Sequence, residues 1–467
     1  EGAVGTVTVT SGTWQNGGAL VVGDGGEGTL TVQGGLVSSE AGTIVQGGNT
    51  TYTASGYIAR EAGSTGAVTI TSGTWSNGGD LHIGHGGTGS LTLESGLVEN
   101  ENSYVGYRSG GVGDVLINGG AWLNHGTLTI GRDGEGSVKV VGNADGRGTI
   151  SAENIVVNPN TGQLEVDGGI ILAEGHHGNF IESYGSGVQI GKEGLFINSN
   201  GFNIHVSSYL TGEGGLSKTG EGNLTLSAAN DYLGSTTITG GSLTVAHSQA
   251  LGSNEVVVRN GGTLLIESGV TLANKITLGN DGNLSQQIGA SQSFTVARIA
   301  TADVAHKDIS AEFLDGTASA SVILTTGFSS TSSAGNDHLR HGAVLHLSGI
   351  PVVDAGTGET DLFVLQINLG GINENAYLGW LDTSTNEWVN AVEGNIGGTG
   401  FFVGDRAYNA ETDFVLGYYG IDTENGALWA VLNHNSDFAV VPEPGTWVFL
   451  GVGAAAFAAL RRKRLSA

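Results

Sequence analysis

Aliphatic and polar positions alternate along the first third of the chain in short bursts, each opened by a glycine. The openings are Gly5, Gly28, Gly66, Gly89, Gly113, Gly136 and Gly162. The second and fourth residues after them are Val7/Val9, Leu30/Val32, Val68/Ile70, Leu91/Leu93, Val115/Ile117, Val138/Val140 and Leu164/Val166, all aliphatic. The residues between are mostly threonine. This period of two predicts a strand with one buried and one wet face. Six of the seven units place a glycine seven residues after the opening (Gly12, Gly35, Gly73, Gly96, Gly120, Gly169), which suits a corner needing positive φ. Nine residues after the opening stand Trp14, Val37, Trp75, Val98, Trp122, Asp145 and Ile171. Six of these are apolar and predict a second strand pointing inward. A third short strand is expected at 20–23, 81–84 and 128–131.

The openings are 23, 38, 23, 24, 23 and 26 residues apart, and the long interval predicts an insertion near 49–63. Three strands and three corners in about 23 residues describe one coil of a parallel β-helix, so the fold class expected is all-β, a β-solenoid over 1–290. A lone coil cannot bury its apolar face; stacking hides it against neighbours, and each fully buried aliphatic side chain contributes about 1.5–3 kcal/mol. Ten to twelve coils at ~4.8 Å each would make a stack of about 50–60 Å. An up-and-down barrel is the rival, although three strands per repeat suit a meander poorly. Trp14, Trp75 and Trp122 have two readings. They are an exposed ladder for stacking sugars, or core residues, since Val and Ile share their register.

Composition sharpens this picture. Among 467 residues there are 84 glycines, 4 prolines, no cysteine and no methionine. Collagen, polyproline rods, disulfides and thiolate chemistry are excluded. A chain without Met at position 1 is expected to be a processed form or a fragment. The net charge is −27, and residues 1–441, with 13 basic and 43 acidic groups, carry −30. Such a body is repelled by nucleic acid and anionic headgroups.

Residues 214–253 read GGLSKTGEGNLTLSAANDYLGSTTITGGSLTVAHSQALGS. The GGLSKTGEGNLTLS run, the Asn230-Asp231-Tyr232 turn and GSTTITGGSLTV resemble the autotransporter-associated β-strand repeat of secreted bacterial β-helices, which implies further solenoid coils. Residues 361–441 hold 12 of the 31 aromatics, and runs such as DLFVLQINL and ALWAVLNH predict a compact β domain or cap over 291–441. The chain ends in Pro442-Glu443-Pro444, the uncharged run Thr446–Leu460 and the cluster Arg461-Arg462-Lys463-Arg464. A helix over 446–460 would span about 22 Å, short of a ~30 Å hydrocarbon core. The arrangement over 442–467 resembles the PEP-CTERM sorting signal. That resemblance implies an exosortase-type processing enzyme as partner, a membrane intermediate held by the helix, and delivery to a Gram-negative envelope surface or matrix.

Candidate chemistry is sparse. Asp24, His85 and Arg132 share a register but not a chemistry. The acidic glycine turns at 23–28, 131–136 and 279–283 lack calcium-loop spacing. His338, His341 and His346, and the pair His176-His177, form no tidy metal set. No catalytic residue, metal or cofactor is assigned. The expectation is an exported structural or adhesive solenoid, not an enzyme. The alternative is a β-helix that binds or degrades polysaccharide, with exopolysaccharide or host glycans as ligands.

Overall fold

The structure is a computed structural model. It describes residues 2–40, 54–143, 146–183, 185, 187–279, 282–288, 296–301, 310–316, 322–329, 332–336, 340–349, 362–369, 372, 375–397 and 400–442. The chain divides into two compact units: residues 1–265 with 272–274, and residues 266–271 with 275–467.

The first unit is a succession of coils built on three parallel sheets. The first sheet runs from Val4–Val9 through Glu27–Val32, Thr65–Ile70, Thr88–Leu93, Val112–Ile117 and Glu135–Asn143 to Gly162–Asp167, Val188–Ile190 and Leu210–Gly212. Its register pairs Gly5, Gly28, Gly66, Gly89, Gly113, Gly136 and Gly162 in one unbroken row, the row of openings read from the sequence. The second sheet begins Thr13–Asn16, Leu36–Ser39, Thr74–Asn77, Leu97–Asn100, Ala121–Asn124 and continues to Val256–Val258. The third begins Leu20–Val22, Gly56–Ile58, Leu81–Ile83, Ser103–Val105, Thr127–Ile130 and Asn154–Val157. Beyond Leu210–Gly212 the first sheet stops. The coils shorten to two strands: Leu216 pairs Thr236, which pairs Val256, 20 residues apart each time.

The corner between the first and second sheets is a column of left-handed glycines: Gly12, Gly35, Gly73, Gly96 and Gly120 have φ of 79, 77, 85, 88 and 68°. A Cβ on Gly35 would stand 2.3 Å from the Gly12 carbonyl oxygen, so both conformation and space require glycine. In the Gly162 coil the left-handed residue is Gly168, not Gly169. Another column follows the third sheet (Gly23, Gly84, Gly106, Gly131), and here Ala59, φ 57°, stands where the others have glycine.

Two sequence expectations are corrected. Gly56–Ile58 pairs with Leu20–Val22 and so belongs to a regular coil. The extra residues fall mainly between Ser39 and Gly56 instead of over 49–63, and 41–53 of them lie outside the described residues. Ile150, not Asp145, pairs with Trp122. An antiparallel hairpin of Gly142–Asn143 with Gly146–Arg147 adds residues before the second-sheet strand resumes.

Inward residues are graded in size. Coils with tryptophan on the second sheet carry leucine on the third: Trp14 with Leu20, Trp75 with Leu81, Trp122 with Leu128. The coils between carry valine with a small residue: Val37 with Gly56, Val98 with Ser103. Each large ring therefore leans over a small neighbour. Trp75 Cζ2 lies 3.1 Å from where a Cβ on Gly56 would stand. This interdigitation is how interiors reach crystal-like density.

The second unit is mainly antiparallel and, among the described residues, has two sheets, with Ile276–Leu278 pairing in parallel with Val296–Thr301. One orders Asn283–Ile288, Val322–Ser329, His341–Ser348, Ser436–Pro442, Ala376–Asp382 and Glu387–Asn390. The other orders Val296–Thr301, Ser310–Gly316, Phe363–Asn368, Ala427–Leu432 and Tyr418–Asp422, with Phe401–Asp405 added in parallel. Trp388 packs with Val344, Leu381, Ala439 and Val441; Trp429 packs with Val364 and Val431. Arg406 holds Asp413 through two bonds of 2.6 Å.

Candidate functional site

Trp75 and Trp122 are fully buried, because their even position along the strand points them into the coil. Neither ring has a face to offer a sugar, which corrects the stacking reading at these two positions. Trp14, in the first coil, is half-buried. The Trp122 indole N–H donates to Asn100 Oδ1 at 2.9 Å. Asn100 in turn donates to Ser103 Oγ at 2.8 Å and Asn124 Oδ1 at 3.0 Å. The lumen between these coils is thus a satisfied amide network around a ring.

Aromatic side chains do gather elsewhere, on the outer face of the third sheet. Tyr57, His82 and Tyr104 occupy one outward row, paired through Gly56–Ile58, Leu81–Ile83 and Ser103–Val105. The Tyr57–His82 centroids are 4.8 Å apart at 3° and those of His82–Tyr104 4.9 Å at 13°. At the adjoining corner His85 stacks on Tyr107, 5.0 Å at 10°. The two stacks meet edge to face, His82–His85 at 5.1 Å and Tyr104–Tyr107 at 5.1 Å. Arg132 closes the group, its guanidinium 4.4 Å above Tyr107 and 5.9 Å from Tyr104. The strand spacing of ~4.8 Å sets this stacking: identical outward positions on successive coils must lie at ring-contact distance.

The Asp24, His85 and Arg132 register noted in the sequence is this corner. Arg60 and Tyr107 complete the row, and sequence reading missed them because the insertion and a longer corner displaced their count. The fragments GYIAR, LHIGH, YVGYR and LTIGR, aligned on the aliphatic residue before the corner, carry the signal. His85 is buried, not a solvated turn residue. Its Nδ1 lies 2.9 Å from the Arg60 carbonyl oxygen; a carbonyl only accepts, so Nδ1 carries the proton. Burial, with His85 next, pushes His82 down to about 4. Burial likewise lowers His85. Both imidazoles are uncharged at neutral pH. Arg60, Arg108 and Arg132 are the only Lys or Arg residues before position 139, and all three flank this corner. Arg60 pairs with Asp24 at 2.7 Å and Arg132 lies 3.8 Å from Asp133.

The other sequence candidates are dispersed. His176 and His177 accept from the backbone N–H groups of Asn203 and Asn179. His346 bonds Asp437 at 2.6 Å; His338 lies outside the described residues, as does the His341 side chain. Among the described residues no three His, Asp or Glu side chains cluster to hold a metal.

In the 214–253 segment, Lys218 is fully buried in the inward row between Ile197 and Ile238. Its ammonium donates to the carbonyls of Thr219, Gly220 and Gly240 at 3.0, 2.7 and 3.1 Å. Burial pushes it down to about 8, with Glu221 opposing. Asn230 ties two coils, accepting from the Leu210 N–H at 2.8 Å and donating to the Ala250 carbonyl at 2.6 Å. Tyr232 is buried against Thr236. At the other end, Ser436–Pro442 pairs with Ala376–Asp382, Pro442 opposite Ala376. Glu443, Pro444, the run 446–460 and the basic cluster Arg461–Arg464 lie outside the described residues, and among the described ones no helix is long and apolar enough to cross a membrane.

Comparison with known proteins bears on both ends. An adhesin, the BmaC autotransporter of Brucella suis biovar 1 (strain 1330), is 28% identical over 218 residues, 46% of this chain and 6% of the relative. No solved structure matches. Residues 216–245 match the passenger-associated-transport-repeat, and residues 440–463 match the PEP-CTERM protein-sorting motif. The chain is therefore an all-β protein that carries a passenger-type repeat inside its solenoid and a PEP-CTERM sorting motif from its last described strand onward.

Proposed function

We propose that this protein is exported, processed by an exosortase-type enzyme after a membrane-held intermediate, and displayed at the cell surface or in the extracellular matrix. There its solenoid acts as a structural or adhesive element and not as a catalyst. The observation that carries this reading is the sorting motif at 440–463 on a chain whose body is a solenoid with a passenger-type repeat. The physical chemistry is consistent with it. The inward rows are aliphatic or hydrogen-bonded amides, and the ammonium among them, Lys218, is held by packing and backbone carbonyls. The adhesin relative supports the adhesive side over the stretch it shares. Protease shaving of intact cells tests the reading. Release of solenoid peptides without lysis is the expected result; full protection of the chain inside intact cells overturns it. Turnover of a polysaccharide by residues 1–441, abolished by a single Asp or Glu substitution, would overturn the non-catalytic part.

A second reading has its own observation, the aromatic corner with the three arginines. The ring faces between His82, Tyr104, His85 and Tyr107 are taken by one another and by Arg132, so a ligand there meets ring edges, phenols and guanidinium groups. This suits a hydroxyl-rich polymer held by hydrogen bonds, and Arg108 has no ion pair among the described residues. A glycan array probed with the native chain and with Arg108→Ala and Tyr107→Phe tests it. Binding that both variants weaken supports the reading, and identical profiles reject it.

A further inference from the structure

The inward amide network is complete at one step of the solenoid and incomplete at the equivalent step two coils earlier. The register makes the two steps comparable residue by residue. Asn100 pairs Asn124 and Val98 pairs Trp122; Ser103 pairs Leu128. Earlier, Ser39 pairs Asn77 and Val37 pairs Trp75; Gly56 pairs Leu81. So Ser39 stands for Asn100, Gly56 for Ser103, and Trp75 and Asn77 for Trp122 and Asn124.

At the later step every polar group of the ring–amide set has a partner. Trp122 donates to Asn100, Asn100 donates to Ser103 and Asn124, and Ser103 donates to Asn124. At the earlier step the Trp75 indole N–H, the Ser39 hydroxyl and both ends of the Asn77 carboxamide are buried with no partner among the described residues. Four such atoms in one place are far from the rule that buried polar groups are bonded. The substitutions that separate the steps explain the loss: Asn→Ser and Ser→Gly remove the carboxamide and the hydroxyl that do the bridging.

The same substitutions make room. Asn77 Oδ1, Leu81 Cδ1 and Trp75 Cζ2 lie 2.8, 2.9 and 3.1 Å from the point a Cβ on Gly56 would occupy, so the space beside Gly56 is filled by these side chains. The space beside Ser39 is where the Asn100 carboxamide stands in the later step. Serine is two heavy atoms shorter than asparagine there, a difference of about the size of one water. The site is polar on three sides, as a buried water requires.

We propose that one structural water is bound in the lumen between Ser39, Trp75 and Asn77. It accepts from the Trp75 indole N–H, bonds the Ser39 hydroxyl and completes its set at the Asn77 carboxamide. It takes the place of the Asn100 carboxamide, and the solenoid thereby tolerates Ser and Gly at positions where the later step needs Asn and Ser. The inference does not depend on the proposed function.

The test uses the full chain labelled with 15N-tryptophan, the Trp75 indole being assigned by its loss in Trp75→Phe. The expected result is magnetisation transfer between the Trp75 indole proton and a long-lived bound water, with none at Trp122. In Ser39→Asn/Gly56→Ser, which rebuilds the later network, the Trp75 transfer should vanish. Absence of transfer at Trp75 in the native chain, or transfer that persists in the double variant, overturns the proposal. Should the double variant not fold, a crystal structure of the native chain decides. A density peak within ~2.7–3.2 Å of Ser39 Oγ and Trp75 Nε1 supports the water, and a protein atom bonded to the indole instead refutes it.

Discussion

Lys218→Met isolates the cost of burying an ammonium in an aliphatic row. Methionine keeps the stem that packs between Ile197 and Ile238 and removes the charge. Two effects oppose. The variant loses three charge-assisted bonds to carbonyls, each contributing about 1.5–3 kcal/mol, although the Thr219 carbonyl keeps the Ser199 N–H at 3.2 Å. It also escapes the desolvation that lowers Lys218 from its ordinary 10.5 to about 8. At about 1.4 kcal/mol for each pH unit, that gap comes to about 3 kcal/mol. The pH dependence separates the two effects. Between about pH 8 and 10.5 the unfolded chain keeps this proton and the folded chain has released it, so native stability rises with pH. Thermal or denaturant unfolding of native and variant protein at pH 7.5 and 10.5 measures the difference, and titrations common to both cancel. The native advantage over Lys218→Met should grow by about 3 kcal/mol across that window. A constant difference, or one that shrinks, would refute the reasoning and mean that the three carbonyls hold the ammonium as well as water does.

His82 should show the same linkage at lower pH. Its value of about 4 against an ordinary 6.5 means that native stability falls as pH drops from about 6.5 to 4, and His82→Phe, which keeps a ring between Tyr57 and Tyr104, should flatten that slope. Ala59→Gly should stabilise the solenoid by about 1 kcal/mol, read as a rise in Tm, because Ala59 alone holds φ 57° in a glycine column. Asn100→Ala should cost about 2–4 kcal/mol in denaturant unfolding, since it strands the Trp122 indole N–H inside the coil and removes the Asn100 bonds to Ser103 and Asn124. In the second unit, Arg406 holds the Asp413 carboxyl below the usual carboxylate range. Its stabilisation is present above the unfolded value and lost as pH falls through the folded one, and Asp413→Asn should remove that acid sensitivity.

The coil was legible because one physical constraint repeats in it. A glycine row, an aliphatic pair and a left-handed corner recur at fixed offsets, and the observed register joins Gly5 to Gly162 without a slip. Reading failed where residues were added without changing composition. The Gly142–Arg147 hairpin moved Ile150 into the place assigned to Asp145, and the segment after Ser39 hid the strand Gly56–Ile58. The aromatic corner was half visible. Its register depends on counting from the third strand, and Arg60 and Tyr107 fall out of step when counted from the first. The tryptophans show the opposite case, an outward-looking chemistry that strand alternation turns inward. The buried Lys218 carries no warning in its sequence context beyond standing two residues after the inward Leu216 in LSKT, since an ammonium in an aliphatic row is stable only where backbone carbonyls converge on it.

The most direct test of the account joins the two ends of the chain. Mass spectrometry of the native C-terminus, combined with cell fractionation, should find a surface or matrix form that ends near Pro442–Pro444 and lacks Arg461–Arg464. A full-length form ending in Ala467 that persists in the inner membrane would contradict it.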